Sequence, residues 1–321
     1  MLRTDQRPEP GPTVPGTAAT DRADPMISVV VPHYQDLSGL RLCLEALGRQ
    51  TYPSDRYEII VADNSSPVGL DAVLDAVAGR ARVVVVEQKG AGPTRNGAAA
   101  CARGEILAFT DADCRPEPEW LSAGVTALDR YDLVGGRMRV LVEDPDHISP
   151  SEAFEKVFAF NNEAYVTRKG FTVTANLFCA RSLFERVGGF RTQLSEDMDW
   201  CHRARDAGYA IGFARDAVVG HPARRTLALL KDKWRRIDRE TFGIYRSRRM
   251  GESLYVARAL ALPLSILVHG PKVLRSRELS GLGQRCAALA ILAHMRLWRV
   301  FDSLQVVAEH RLRGRRGVPI G

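Results

Sequence analysis

The sequence lacks the cysteine pairs that mark zinc sites and redox-active dithiols. Its six cysteines are scattered over 321 residues, and no two of them stand in a C-x-x-C spacing. Scattered cysteines are typical of reduced thiols in an intracellular protein rather than of a disulfide framework. We therefore expect a cytoplasmic protein without a zinc site.

The sequence also lacks an apolar run long enough to span a bilayer. The best candidates, 259–271 and 287–295, are broken by Pro263 or run into charged residues, whereas a span needs about 18 uncharged residues. Residues 1–25 are rich in Pro, Gly, Thr and Asp, which predicts a disordered leader rather than a signal peptide. These absences favour the cytoplasm, and they leave room for amphipathic helices on the membrane surface.

Two nucleotide-binding signatures are missing as well. The turn after the first apolar run reads Pro32-His-Tyr-Gln-Asp-Leu-Ser-Gly39, without the G-x-G-x-x-G of a dinucleotide-binding enzyme. No glycine-rich loop has the Arg and Lys spacing of a sugar nucleotidyltransferase. Aromatic residues are not interleaved with the basic ones as in single-strand binders, so no nucleic-acid partner is expected.

Positive charge is concentrated at the C-terminal end. From Pro222 onward the chain has 21 Lys and Arg against 7 Asp and Glu, a net charge of +14, while the first 221 residues carry −7. We predict a basic amphipathic helical tail over 223–321. Such a tail favours an anionic membrane surface as partner, although a solvated helical surface explains the charge equally well.

Short apolar runs alternate with amphipathic segments in the first 110 residues. The runs lie at 27–31, 57–62, 83–86 and 106–109, with amphipathic segments near 37–50, 69–80 and 94–103. Continuous β-branched runs predict strands that are buried on both faces. The alternation predicts a Rossmann-like, doubly wound, mostly parallel α/β sheet, whose ligands bind beyond the carboxyl ends of its strands.

Polar residues follow each predicted strand at that edge. They are Pro32 and Tyr34, then Asp63, then the segment 89–95, and finally Asp111 and Asp113. Two carboxylates at i and i+2, where a buried strand ends, suit a divalent cation that also carries substrate phosphates. Paired aspartates in turns also commonly cap helices or face water, so the pair alone does not identify a metal site.

A second acidic cluster, Glu196-Asp197-Met198-Asp199-Trp200, follows Ser195. With Ser195 as N-cap, an acidic first turn is explained by the helix dipole alone. A short helix that ends near Gly208 would equally present a carboxylate to a cleft, where it deprotonates an acceptor hydroxyl. The pattern by itself leaves both interpretations open.

In this order, the motifs resemble family 2 glycosyltransferases of the GT-A fold, from about residue 27 to 221. The matching motifs are Val29-Val-Val-Pro-His-Tyr-Gln-Asp36, Asp63-Asn-Ser-Ser66, Gly92-Pro-Thr-Arg-Asn-Gly97, Asp111-Ala-Asp113, Ala175-Asn-Leu-Phe178, Val187-Gly-Gly-Phe190 and Glu196-Asp-Met-Asp-Trp200. The resemblance implies a GT-A domain over 26–222. Its nucleotide-sugar half would cover about 26–115, and its acceptor half about 116–222.

The resemblance also implies an inverting enzyme that uses a nucleotide-diphosphate sugar, with UDP-sugar favoured, and Mn²⁺ or Mg²⁺. The matching residues are Pro32, Tyr34 and Asp63 for the base and ribose, and Arg95 for the nucleotide. Asp113 would bind the metal, and Asp111 the ribose or the metal. His221 would supply a third metal or phosphate contact. The metal would act as a Lewis acid on the leaving diphosphate.

In the acceptor half, Asp197 would be the general base, with Glu196 as its positioning partner or substitute. Adjacent carboxylates raise one another's pKa, which leaves the choice between them open. Trp200 would stack beneath a sugar ring, and Asn176 would contact the sugar or the acceptor.

One departure from the motifs of the family narrows the range of expected activities. Processive synthases of the family carry Gln-x-x-Arg-Trp on an interfacial helix, where this chain reads Lys231-Asp-Lys-Trp-Arg-Arg236. A single-sugar transfer is therefore favoured, and the basic tail suggests a lipid-linked or membrane-proximal acceptor. A soluble acceptor and a non-catalytic nucleotide-sugar-binding scaffold are the alternatives; intact Asp113 and Asp197 argue against the scaffold.

Overall fold

The protein is described by a computed structural model that covers residues 24–192, 195–246 and 249–315. The predicted leader lies outside these residues except for Asp24 and Pro25. Their carbonyl oxygens accept hydrogen bonds from Arg56 and Tyr52, so these two residues are tied to the folded domain.

Eight strands form one mixed sheet in the order β3-β2-β1-β4-β7-β6-β8-β5. The strands are β1 (Ile27–His33), β2 (Tyr57–Asp63), β3 (Arg82–Val85), β4 (Ile106–Phe109), β5 (Arg115–Pro116), β6 (Leu133–Leu141), β7 (Leu177–Ala180) and β8 (Ile211–Pro222). Strands β1 to β4 pair in parallel, and β6 pairs in parallel with β8. Antiparallel β7 joins these two parallel parts.

Twelve α-helices occur in the described residues. They are α1 (Leu37–Leu47), α2 (Leu70–Val77), α3 (Ala91–Ala100), α4 (Trp120–Leu128), α5 (Pro150–Phe158), α6 (Asn162–Ala164), α7 (Arg181–Val187), α8 (Glu196–Asp206), α9 (Leu227–Arg246), α10 (Gly251–Ala261), α11 (Ser265–Leu274) and α12 (Gly281–Arg315). The four predicted strands are present, and each of the three amphipathic segments among them contains a helix. Strand β3 is not buried on both faces as predicted, because it lies at the edge of the sheet and Val85 is 50% exposed. The predicted α/β class with a helical C-terminal region is confirmed too.

Two hydrophobic cores cover the two faces of the sheet. One face packs against α1, α2 and α4, and the other packs against α3, α7 and α8. Strand residues such as Val29 and Val30 point to opposite faces and are both fully buried. This double burial explains the continuous apolar runs in the middle of β1, β2 and β4.

A third core joins the sheet domain to the helical region, which we define as α9–α12. Phe154 and Val157 of α5 pack with Leu230, Val273 and Leu292 of the helical region. Helix α5 starts with a capping box in which Ser149 and Glu152 satisfy one another's backbone amides. The helical region is therefore attached through α5 by an apolar interface.

The described helices include none that is long and apolar enough to cross a membrane on its own. Helices α10 and α11 reach the length and apolar composition of a span only when taken together, and they are bent by 48° relative to each other.

Candidate active site

The carboxyl ends of β1, β2 and β4 lie side by side and carry the acidic motifs. His33 is paired with Asp63 in the sheet register, and Val30 is paired with Phe109. Asp111 and Asp113 therefore follow a strand whose neighbours end at the same edge. The predicted convergence of polar groups is observed.

A buried arginine joins this edge to the second acidic cluster. Arg95 of α3 is only 4% exposed. It donates one hydrogen bond to Asp111 Oδ1 at 2.6 Å and another to the Glu196 carboxylate. These two carboxylates flank the arginine from β4 and from α8, and they raise its pKa although burial opposes the charge. Arg95 thus links the loop after β4 to the start of α8.

Asn96, the next residue on α3, positions the segment before α8. Its side-chain amide donates to the carbonyl of Phe190 at 2.8 Å and accepts from the Phe190 amide at 2.8 Å. Gly189 is required beside it, because an added Cβ would stand 2.6 Å from Asn96 Oδ1. The Gly-Gly-Phe motif is therefore the contact through which α3 sets the approach to α8.

Helix α8 presents Glu196 and Asp197 at its N-terminus. Ser195 occupies the predicted N-cap position, but its hydroxyl donates to Asp197 Oδ1 at 2.9 Å instead of capping a backbone amide. The Met198 amide donates to the same oxygen. Burial and Asp197 raise the pKa of Glu196 against the lowering effect of Arg95. Both carboxylates remain partly accessible at the cleft.

Asp113 and His221 form the best cation-binding pair in the described residues. Asp113 Oδ2 and His221 Nε2 are 3.4 Å apart, and the Cys114 sulfur lies within the same group. His221 Nδ1 donates to the Pro222 carbonyl at 2.9 Å. In the neutral tautomer this leaves Nε2 as an acceptor that faces a carboxylate oxygen, so a metal ion fits between them.

The donor set suits Mn²⁺ or Mg²⁺ better than a soft metal. A carboxylate and an imidazole are ordinary ligands for Mn²⁺, and hard cations prefer oxygen. The Cys114 thiol is a soft ligand that suits other metals better. Asp111 is engaged by Arg95. Asp113 and His221 are therefore the residues that would hold the ion.

Asp63 lies below the surface of the predicted nucleotide side. It is 2% exposed, and its oxygens accept hydrogen bonds from Ser66 and face His33 Nδ1 at 2.8 Å. Burial opposes its charge, yet the bonds from Ser66 and His33 lower its pKa. In this structure Asp63 fixes the loop after β2, and a direct contact with base or ribose remains a prediction.

The neighbouring loop is tied to the same segment. Lys89 Nζ donates to the carbonyls of Asn64 and Ser65 at 2.8 and 3.0 Å, and it lies 5.3 Å from the ring centroid of Tyr34. Tyr34 itself is 52% exposed, while Pro32 at the end of β1 is partly buried. An exposed ring beside a lysine provides a surface on which a base can stack.

Two predicted acceptor contacts are wrong. Trp200 is fully buried, packs against Phe184 and Phe190, and donates to the Gly188 carbonyl at 2.9 Å. Asn176 is also fully buried, where its amide bonds Trp120 and two backbone carbonyls. Neither side chain faces a cleft, because both complete the packing beneath it.

Three residues near the site were missed by sequence reasoning. The Phe160 ring lies 5.1 Å from the His221 ring, and Lys233 of α9 lies 5.7 Å from the centroid of Phe160. Burial raises the pKa of Glu240, also on α9, and the charges of Glu196 and Asp197 contribute. The sequence drew attention to 231–236 on α9, but no sequence signal predicts that α9 approaches the acidic cluster, because only the tertiary fold brings the two together.

Comparisons with known proteins show which family and fold the chain resembles. A model described as glycosyl transferase family 2 matches residues 28–192. Glycosyltransferase AglE of Haloferax volcanii is 32% identical over 252 residues, which cover 76% of this chain and 81% of AglE. Pre-mycofactocin glycosyltransferase of Mycobacterium tuberculosis is 30% identical over 215 residues, which cover 63% of this chain and 43% of that protein.

Two solved structures share the fold. The mannosyltransferase PcManGT of Pyrobaculum calidifontis has a TM-score of 0.50 and 20% identity, covering 92% of this chain and 77% of its own. TarS residues 1–349 from S. aureus have a TM-score of 0.50 and 16% identity, covering 89% and 92%. The predicted GT-A fold is thereby confirmed, and the chain belongs to glycosyl transferase family 2.

Proposed function

We propose that this enzyme moves one sugar, with inversion, from a nucleotide-diphosphate sugar to an acceptor hydroxyl, with Asp197 as the general base. The observation that carries the proposal is the asymmetry between the two adjacent carboxylates. Glu196 is ion-paired with buried Arg95, whereas the hydrogen bonds to Asp197 from described residues fall on Oδ1 alone. Oδ2 of Asp197 is thus the better acceptor for a substrate proton.

The proposed transfer moves one proton, forms one bond at the anomeric carbon and breaks another. As the acceptor oxygen attacks the anomeric carbon, its proton passes to Asp197, while the bond between that carbon and the diphosphate oxygen breaks. The electron pair leaves with the nucleoside diphosphate. Arg95 bonds both Glu196 and Asp111, which sets the distance between α8 and the donor side. Ser195 and the Met198 amide orient the Asp197 carboxylate.

Asp113 and His221 would hold Mn²⁺ or Mg²⁺, which when bound neutralises charge on the leaving diphosphate. Tyr34 would stack on the base, with Pro32 beside it. Asp63 would act on the nucleotide by fixing its loop. We favour a UDP-sugar as donor; the two fold neighbours were solved with GDP-Man and Mn²⁺ and with UDP-GlcNAc.

The proposed acceptor is lipid-linked or membrane-proximal, and the proposed location is the cytoplasmic face of the membrane. The support is the charge and surface of the helical region. Several large apolar side chains of α10–α12 are exposed, among them Leu267 at 78% and Phe301 at 70%. Apolar exposure within a basic segment suits attachment to an anionic membrane surface.

The decisive experiment compares melting temperatures with UDP, GDP, CDP and dTDP, each with and without Mn²⁺. A ligand that binds only the folded protein raises the melting temperature by mass action. We expect selective stabilisation by one nucleotide, dependent on Mn²⁺. His221→Gln should lose the Mn²⁺-dependent part, whereas exposed His147→Gln, on the loop between β6 and α5, should keep it.

The outcomes separate the transferase from a scaffold. If no nucleotide stabilises the protein at millimolar concentration, the proposed function fails. If one nucleotide binds but no donor sugar is ever transferred or hydrolysed, and Asp197→Asn changes neither result, the chain is a nucleotide-sugar-binding scaffold.

A further inference from the structure

A basic cavity of about 540 Å³ lies between the sheet domain and the helical region. It is lined from β6, α5, the segment after α5, β8 and the end of α11. Its six cationic side chains are Arg137, Arg139, Lys156, Arg215, Lys272 and Arg275. Only two carboxylates, Glu163 and Glu278, line it. The cavity is therefore strongly positive and attracts an anion.

Most of these cations have no carboxylate partner in the described part of the chain. Arg139 pairs with Glu117 and Arg215 with Glu163. No ion pair with a described residue is formed by Arg137, Lys156, Lys272 or Arg275. Clustering like charges is unfavourable unless an anion compensates them. Arginine forks in particular match the geometry of phosphate oxygens.

The cavity adjoins the proposed metal and donor site. Phe160 lines the cavity, and its ring lies 5.1 Å from that of His221. Val140 lines it too and is paired with His221 in the sheet register. A ligand in the cavity would thus lie one strand away from the residue that faces Asp113. This proximity favours a part of the acceptor over an unrelated effector.

Helix α11 connects the cavity to an exposed apolar face. Val268, Lys272 and Arg275 stand at i, i+4 and i+7, which is one face of a helix. Val268 is 73% exposed, while Lys272 and Arg275 line the cavity. A molecule with a phosphate and an apolar chain would match this succession of charged and apolar surface.

We propose that this cavity binds a phosphate group of the acceptor, with the phosphate of a lipid as its favoured source. The inference rests on the proposed function for the identity of the acceptor. The binding site itself is a property of the cavity and needs no turnover to be tested. The reacting hydroxyl belongs to another part of the acceptor and reaches Asp197.

The test uses the full chain without Mn²⁺, with dioctanoyl phosphatidic acid below its micellar concentration and glycerol 3-phosphate as probes in titration calorimetry. The cavity variant is Arg137→Gln, Lys156→Gln and Arg275→Gln combined. The matched control is Arg41→Gln, Arg49→Gln and Arg249→Gln, three exposed positions that give the same net charge. We expect the cavity variant to bind the lipid probe about 10-fold to 100-fold more weakly than the control.

Two further readouts complete the design. If a lipid is the source of the phosphate, Val268→Asn should weaken binding of the lipid probe and leave that of glycerol 3-phosphate unchanged. If instead both probes bind with equal affinity and Val268→Asn changes neither, the phosphate comes from a soluble molecule. The proposal would be overturned if the cavity variant bound each probe as tightly as the control variant does. Melting with UDP and Mn²⁺ tests the proposed function separately, because it should be the same in both triple variants.

Discussion

The sheet domain and the helical region each bury an arginine, but in opposite surroundings. Arg95 is 4% exposed, and the side chains of its partners Asp111 and Glu196 are 31% and 26% exposed. Arg299 of α12 makes two hydrogen bonds to fully buried Asp238, at 2.5 and 2.9 Å, and stacks on Trp234. The partners of Arg95 reach solvent, whereas Arg299 and Asp238 are both sealed from it.

The exposure of the paired carboxylates indicates a ligand-binding site better than the burial of the arginine itself does. Both arginines pay a desolvation cost that their carboxylates offset. Only the pair partners of Arg95 keep surface toward solvent, so only they remain able to contact a ligand. The ion pair of Arg299 with Asp238 fixes how α9 packs on α12. It therefore also helps to position Lys233 and Glu240, which lie on α9.

The largest expected effect is loss of catalysis in Asp197→Asn. The amide cannot accept the hydroxyl proton, so kcat should fall about 10²-fold to 10⁴-fold. Nucleotide binding should be unchanged, because the change is isosteric and lies on the acceptor side. Exposed Asp206→Asn at the other end of α8 is the control. Retention of normal turnover by Asp197→Asn would move the base assignment to Glu196.

The next effect is loss of stability when the sealed pair is broken. Arg299→Met leaves Asp238 buried without its partner and should lower the free energy of unfolding by about 3–5 kcal/mol. The double variant Arg299→Met with Asp238→Leu should recover part of that loss, because the buried carboxylate is removed with its partner, while Arg296 loses the favourable charge of Asp238. Urea unfolding measures both. A double variant as unstable as the single one would mean that packing rather than charge dominates here.

Arg95→Met is the variant to compare with Arg299→Met. Its partners are partly exposed and can regain water, so we expect a smaller stability loss of about 1–3 kcal/mol. In contrast to Arg299→Met, it should also weaken Mn²⁺-dependent nucleotide binding, because Asp111 and Glu196 then repel each other and an anionic donor. Binding isotherms of both variants, measured well below their melting temperatures, check this. If both variants bound the nucleotide equally well, the exposure of the partners of Arg95 would have no bearing on ligand binding.

The sequence predicted the nucleotide side of the fold well because its signals are local. Continuous apolar runs at β1, β2 and β4 alternate with helices, and their boundaries fall within a few residues of the observed ones. The acidic pair after β4 and the acidic turn of α8 were also visible. Both carry their chemistry in adjacent residues, which a sequence pattern can capture.

The acceptor side was predicted less well because its arrangement is set by distant contacts. Trp200 follows the acidic turn directly, yet the helix period directs it into the core between Phe184 and Phe190. The pairing of Arg95 with Glu196 joins residues 101 positions apart. The approach of Glu240 to the acidic cluster depends on how α9 packs against α5 and α12. None of these contacts has a local pattern.

The smallest expected effect concerns the thiols, which also differ between buried and exposed parts of the protein. Burial raises the pKa of Cys43, Cys114 and Cys179 above the ordinary thiol value, and that of Cys201 to about 12. Because the reactive form is the thiolate, these four should resist iodoacetamide at pH 8. Cys101 and Cys286 are exposed, so mass spectrometry should find two labels on the native protein and six after unfolding. A third label on Cys114 in the native protein would mean that the loop between β4 and β5 opens, and with it the pairing of Asp113 and His221.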